Sequence, residues 1–276
     1  MRRISGIAVA LVLFTASLSA QHTQSSEHQP GTPSAHEKHW GYTDGPETVG
    51  PSGWGNLEGD GACATGSHQS PIDLPKGGAA QAPKDKDTPA LAFDYHRSKL
   101  SVVNNGHTVQ ANLDPGSTVS IAGATYRLVQ FHFHAPSEHT VKGEHYPLEI
   151  HLVHVDEAGN PALVVGIFVR AGGPNAALEV PLSKLPHHEG ETVNLPSVSI
   201  DLANLLPQSR GFLHYEGSLT TPPCTEGIRW YVMDSPIQMS QEQIAAFTSV
   251  PHMDGSARPT QPLKGRTLEQ GAGRAN

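Results

Sequence analysis

The side chains with the most chemistry in this chain are histidines set at strand spacing. Gln130-Phe131-His132-Phe133-His134 alternates aromatic and imidazole groups, and Glu149-Ile150-His151 follows at short range. On an extended strand, residues two apart share a face, so His132 and His134 project together about 7 Å apart. Phe131 and Phe133 then face the opposite, apolar side. A returning strand through Glu149-Ile150-His151-Leu152-Val153 can set a third imidazole against the first two. Three neutral imidazoles with one coordination position left open are the ligand set of a catalytic zinc ion, and nothing nearby suggests a thiolate or redox site. Ligand imidazoles need their second ring nitrogen held. Gln130 and Glu149, each two residues before a histidine and on its face, are placed to hold one each. In a chain with 17 histidines, the alternative is a β face carrying surface imidazoles.

The elements that must position these groups read as strands. Leu100–Val103, Thr118–Ile121, Tyr126–Val129, Ile150–Val155 and Leu163–Val169 are short β-branched or apolar runs. Turn chemistry bounds them: Asn104-Asn105-Gly106, Asp114-Pro115-Gly116 and Ala158-Gly159-Asn160-Pro161. With 28 Gly and 23 Pro, few windows can be helical. One is Ser240–Thr248, where Ser240 and Gln243 form a capping-box pattern. No internal repeat is found. The expected fold is mainly β, a single domain on a large twisted, mostly antiparallel central sheet with a few short peripheral helices.

Met1-Arg2-Arg3, the apolar run Ile7–Phe14 and the small residues Ala16–Ala20 read as a secretory signal peptide over residues 1–20. The run is too short to span a bilayer as a mature helix. Residues 21–37, rich in Gln, Ser, Thr, Pro and His, read as a disordered polar linker. The stretch from Pro75 to Pro89 reads as a surface loop. The chain carries a net charge of −8, and losing Arg2 and Arg3 makes it more acidic still. That balance argues against nucleic acid and against anionic membrane surfaces as partners. Export puts the only two cysteines, Cys63 and Cys224, in an oxidising compartment, so the chain is expected in the periplasm or secreted. A disulfide between them would contribute on the order of 4–5 kcal/mol through loop closure. Two buried thiols or a thiolate metal site are the alternatives.

His132-x-His134-x3-Glu138 also fits the first metal motif of cupins, but no Pro-x-Gly-x-x-His segment precedes His145, His151 or His154. A copper/zinc superoxide dismutase would need further metal histidines soon after His154, and the next are His187 and His188. A third likeness covers far more of the chain. His39-Trp40-Gly41-Tyr42, Gln69-Ser70-Pro71-Ile72-Asp73, Asn104-Asn105-Gly106-His107 and Tyr126 to His134 occur in order. They are followed by Ser137-Glu138-His139-Thr140, Glu149 to His154, Gly217 to Pro223 and Arg258 to Leu263. Together these closely resemble an α-class carbonic anhydrase of the exported bacterial kind, from about His39 to Arg266.

The resemblance implies a domain over residues 38–270, with residues 271–276 as a C-terminal tail. It implies one Zn²⁺ per chain on His132, His134 and His151, and hydration of carbon dioxide to bicarbonate by a zinc-bound hydroxide. Carbonic anhydrase is itself the reference case for such a water, acidified to a pKa near 7. Thr220 matches the family's gatekeeper threonine and Glu138 its partner. A carboxylate only accepts, so Thr220 would spend its proton on Glu138 and keep its oxygen as an acceptor. Val153, Val164, Leu219, Ile228 and Trp230 match the apolar wall for carbon dioxide. The Thr220 backbone N–H and the Thr221 side chain match the bicarbonate contacts. His107 matches the proton-shuttle histidine, and histidine titrates in the required range. Tyr42 and Asn105 match residues that order the relay water. Gln110 stands where the family commonly has Asn or Gln. Cys63 and Cys224 match the disulfide of exported members. The partners implied are carbon dioxide and bicarbonate, with a homodimer as the oligomeric state. The alternative reading is a non-catalytic carbonic-anhydrase-like binding module, whose mark would be lost zinc ligands.

Overall fold

The computed structural model describes residues 38–75 and 89–275. The signal peptide, the polar linker and most of the 75–89 stretch lie outside the described residues. A 13-stranded sheet organises the rest. Its main path runs Thr192–Asp201, Arg97–Asn104, Val109–Leu113, Ala124–His134, Leu148–Val155, Pro161–Ala171, Glu226–Met233, Gly211–Ser218 and Glu269–Ala272. Pairing is antiparallel through the half that carries the histidines. The sheet turns parallel where Pro161–Ala171 meets Glu226–Met233 and Ile237–Met239.

Strand parity splits the apolar residues into two layers. Phe131, Phe133, Ile150, Leu152, Leu163, Val165 and Ile167 fill the larger core under one face. Val153, Val164, Phe168, Ile228 and Trp230 form a smaller cluster on the other. Leu148–Val155 is buried at every position, because both faces are covered along its whole length.

The turn readings hold where glycine meets the backbone demand: Gly106 and Gly159 take φ of +86° and +89°. Ser240 caps the Gln241–Thr248 helix and forms the full capping box with Gln243. The C-terminus departs from expectation. Residues 271–276 were expected as a tail, yet Glu269–Ala272 pairs with Gly211–His214 and Arg274–Ala275 pairs with Ala92–Phe93. Backbone hydrogen bonds pair this segment into the sheet, and Glu-Gln-Gly-Ala has no apolar alternation to announce a strand.

Candidate metal centre and active site

Register brings the three imidazoles together. His151 lies directly opposite His132, and Glu149 lies opposite His134. The ring centroids are 5.0 Å (132–134), 5.2 Å (132–151) and 4.6 Å (134–151) apart. One nitrogen from each ring falls within 4.8 Å of the others.

The outer partners decide which nitrogens those are. Gln130 Oε1 accepts from His132 Nδ1 at 2.8 Å. The Ser256 carbonyl accepts from His134 Nδ1 at 2.6 Å. Glu149 Oε1 accepts from His151 Nε2 at 3.0 Å. Carbonyl and carboxylate oxygens only accept, so each of these ring nitrogens carries the proton. Nε2 of His132, Nε2 of His134 and Nδ1 of His151 are left unprotonated and facing inward. His134 Nε2 is buried without a hydrogen-bond partner, which marks a lone pair waiting for something other than a proton. Burial, reinforced by the neighbouring imidazoles, pushes His132 well below the ordinary histidine range. Burial lowers His134 too, against the opposing charge of Glu138. Both effects favour the neutral rings that bind metal. The donor set therefore fits a tetrahedral zinc ion with one open position.

Behind His151 the bracing continues. Glu149 also accepts from the His139 N–H at 2.9 Å and from its Nδ1 at 2.7 Å. His139 Nε2 meets the Tyr215 hydroxyl at 2.7 Å, and that hydroxyl meets Ser70 Oγ at 2.9 Å. Ser70 Oγ accepts from the Ser218 N–H at 3.0 Å, two residues before Thr220. Burial alone would raise the Glu149 carboxyl, but His139 and His151 prevail and hold it far below the carboxylate range.

A cavity of about 180 Å³ opens on the three inward nitrogens. Tyr42, Asn105, His107, Val153, Val164, Leu219, Thr220, Thr221 and Trp230 all line it. Ile228 belongs to the apolar cluster without lining the cavity. Glu138 is fully buried, with Oε2 only 3.5 Å from His134 Nε2. Its Oε1 accepts from the Arg258 N–H at 2.9 Å, whereas Oε2 has no hydrogen-bond partner and so receives none from Thr220. Asn105 lines the cavity, and its side-chain oxygen accepts from the N–H groups of His107 and Thr108, which fixes the turn. The Tyr42 hydroxyl is buried and unpartnered. His107 stacks on Trp40 at 3.4 Å between centroids, 12° from parallel.

Cys63 and Cys224 are joined across 161 residues. The bridge ties the segment just after Thr220-Thr221-Pro222-Pro223 to the N-terminal part of the domain. Gln69 Nε2 donates to the Cys224 carbonyl at 3.0 Å, and Arg258 donates to that of Cys63 at 3.1 Å. A family model for eukaryotic-type carbonic anhydrases matches residues 49–271. The chain belongs to the α-class carbonic anhydrase family. A carbonic anhydrase of Nostoc sp. is 41% identical over 235 residues, 83% of this chain and 84% of that one. One of Pectobacterium carotovorum is 40% identical, over 83% of this chain and 90% of its own. The α-carbonic anhydrase of Thermovibrio ammonificans, solved with the inhibitor sulfanilamide, superposes with a TM-score of 0.75 at 42% identity. That match covers 84% of this chain and 99% of its counterpart.

As a carbonic anhydrase, the chain is an enzyme whose small-molecule substrates are carbon dioxide and bicarbonate, in a family that is zinc-dependent. The disulfide fits an extracellular or periplasmic enzyme. Among the described residues, no helix is long and apolar enough to cross a membrane. Sequence reasoning did not find Ser256, His139, Tyr215 or the Trp40 stack. A carbonyl holder such as Ser256 leaves no mark in residue type. His139 did carry a signal, as the second imidazole that a buried Glu149 needs.

Proposed function

We propose that the chain binds one Zn²⁺ on His132, His134 and His151 and hydrates carbon dioxide to bicarbonate and a proton. What supports this is the set of three convergent imidazoles, each with its outer nitrogen held, beside a cavity with an apolar wall. When bound, zinc supplies a nucleophile at neutral pH by acidifying a water to a pKa near 7, for which carbonic anhydrase is the reference case.

The chain's own residues do the rest. Val153, Val164, Leu219 and Trp230 give a linear apolar molecule a surface free of competing donors, with Ile228 packed in the same cluster. Glu138 Oε2, buried and without a partner, is the acceptor for the Thr220 hydroxyl. Thr220 is then left with an oxygen that only accepts. The Thr220 backbone N–H and the Thr221 hydroxyl hold bicarbonate, a role supported by both residues lining the cavity. His107 takes the released proton across water ordered by Tyr42 and Asn105, and the Asn105 side-chain oxygen also fixes the turn that presents His107. Ser70, Tyr215 and His139 carry the bracing from His151 to the strand that presents Thr220. The enzyme works in the periplasm or outside the cell, as a homodimer.

Stopped-flow carbon dioxide hydration tests the assignment. The zinc-loaded protein should be fast, a strong chelator should abolish the rate, and zinc should restore it. A rate unchanged by chelation would overturn the assignment.

A further inference from the structure

His107 is a wall between two cavities. Together with Trp40 and Tyr42 it lines the metal-facing cavity and also a second one, of about 420 Å³, on its far side. The charged and titratable groups facing that second space are His39, Glu189, His252 and Asp254, with Tyr42 at the partition. Of the acids, Glu189 is the one built against the turn that carries His107. A Cβ placed on Gly106 would sit 2.8 Å from the Glu189 carboxyl carbon and 2.9 Å from Oε1. The Glu189 segment is tied to Asn104, at the start of that turn, by two backbone hydrogen bonds. Gly190 N–H donates to the Asn104 carbonyl at 2.8 Å, and Asn104 N–H donates to that of Glu191 at 3.1 Å. The Glu191 carboxylate folds the loop by accepting from the His187 and His188 N–H groups.

We propose that Glu189 is a positioning residue of the proton exit, holding the outer side of the His107 wall negative so that the imidazole accepts the proton arriving from the metal side and carries it to the second cavity. The inference rests on the shuttle role given to His107 above. Glu189 exchanges no proton itself. The His107 N–H bond breaks, a buffer base in the second cavity takes the proton, and neutral imidazole is regenerated. Burial lowers the basicity of His107, Glu189 opposes that, and His39 adds to it. Without the carboxylate, the ring would be a poorer acceptor of the proton arriving from the metal side. Glu189 is exposed, so its field is moderate and screened by salt.

Zinc-loaded Glu189→Gln keeps the shape and removes the charge. Its His107 ring signal, followed by NMR, should titrate about half a unit lower, a threefold loss of proton affinity. In concentrated buffer too bulky to enter the metal cavity, kcat should fall up to about threefold while kcat/KM stays constant. Glu189→Asp should recover part of the loss. High salt should lower kcat in the wild type and leave Glu189→Gln unmoved. An unchanged His107 titration and an unchanged kcat in Glu189→Gln, beside a slow His107→Ala, would refute the role of Glu189 alone. A fast His107→Ala would remove the shuttle assignment and the proposal with it.

Discussion

Glu149→Gln is the substitution whose effect the structure fixes most closely. Glu149 receives three donors in a fully buried place: His151 Nε2 and His139 Nδ1 on one oxygen, and the His139 N–H on the other. A carboxamide has nearly the same shape but turns one acceptor into a donor. If its oxygen keeps the two imidazoles, its NH₂ faces the His139 N–H. If it turns over, both imidazole N–H groups face the NH₂. At least one buried donor goes unpaired in either case, a cost of about 1–3 kcal/mol. The imidazole orientation that remains is also held less firmly, and loss of an outer partner weakens metal binding about 10–100-fold. Carbonic anhydrase is among the systems behind that range. In free energy this is about 1.4–2.7 kcal/mol. Zinc affinity by chelator competition and stability by urea midpoint measure the two parts separately. Zinc affinity within twofold of the wild type, at unchanged midpoint, would refute the bracing argument for His151.

His154 is fully buried, with Nε2 at 2.7 Å from the Tyr95 hydroxyl, and burial holds it down to about 3. The unfolded chain therefore takes up a proton near pH 6.5 that the folded chain refuses. Stability is full above that pH and falls by about 1.4 kcal/mol per unit as pH drops toward 3. Urea midpoints at pH 7.5 and 5.5 should differ less in His154→Gln than in the wild type, and equal differences would contradict this. Below pH 4.5, Glu149 adds to the loss, because its folded carboxyl resists protonation. Reduction of Cys63–Cys224 should cost about 5 kcal/mol in urea unfolding. As the bridge braces the segment after Thr220, hydration activity should fall before the far-ultraviolet signal of the sheet, and simultaneous loss of both would argue against a local role.

The convergence of three imidazoles was legible because a strand imposes a two-residue parity. Parity selected His132, His134 and His151, although His139, His145 and His154 lie within the same span. It also selected Gln130 and Glu149, whose contacts are the ones a ligand histidine requires. The holder of His134 was not legible. Ser256 acts through its carbonyl from 122 residues away, which any residue could supply. The resemblance gave Asn105 a place by the relay water, and Asn105 does line the cavity; what was not legible is that its oxygen also accepts from two local N–H groups, a habit of asparagine in turns. The C-terminal strands escaped for a related reason, since backbone pairing needs no side-chain pattern. Fold class, by contrast, followed from the density of Gly and Pro punctuation between short β-branched runs.

The central claim, three held imidazoles carrying a zinc ion that hydrates carbon dioxide, is tested most directly by zinc content and stopped-flow hydration on the same samples of wild type and His134→Ala. The account predicts one zinc per wild-type chain with fast hydration, and in the variant a loss of both together. A variant that loses zinc but hydrates as fast as the wild type would contradict it.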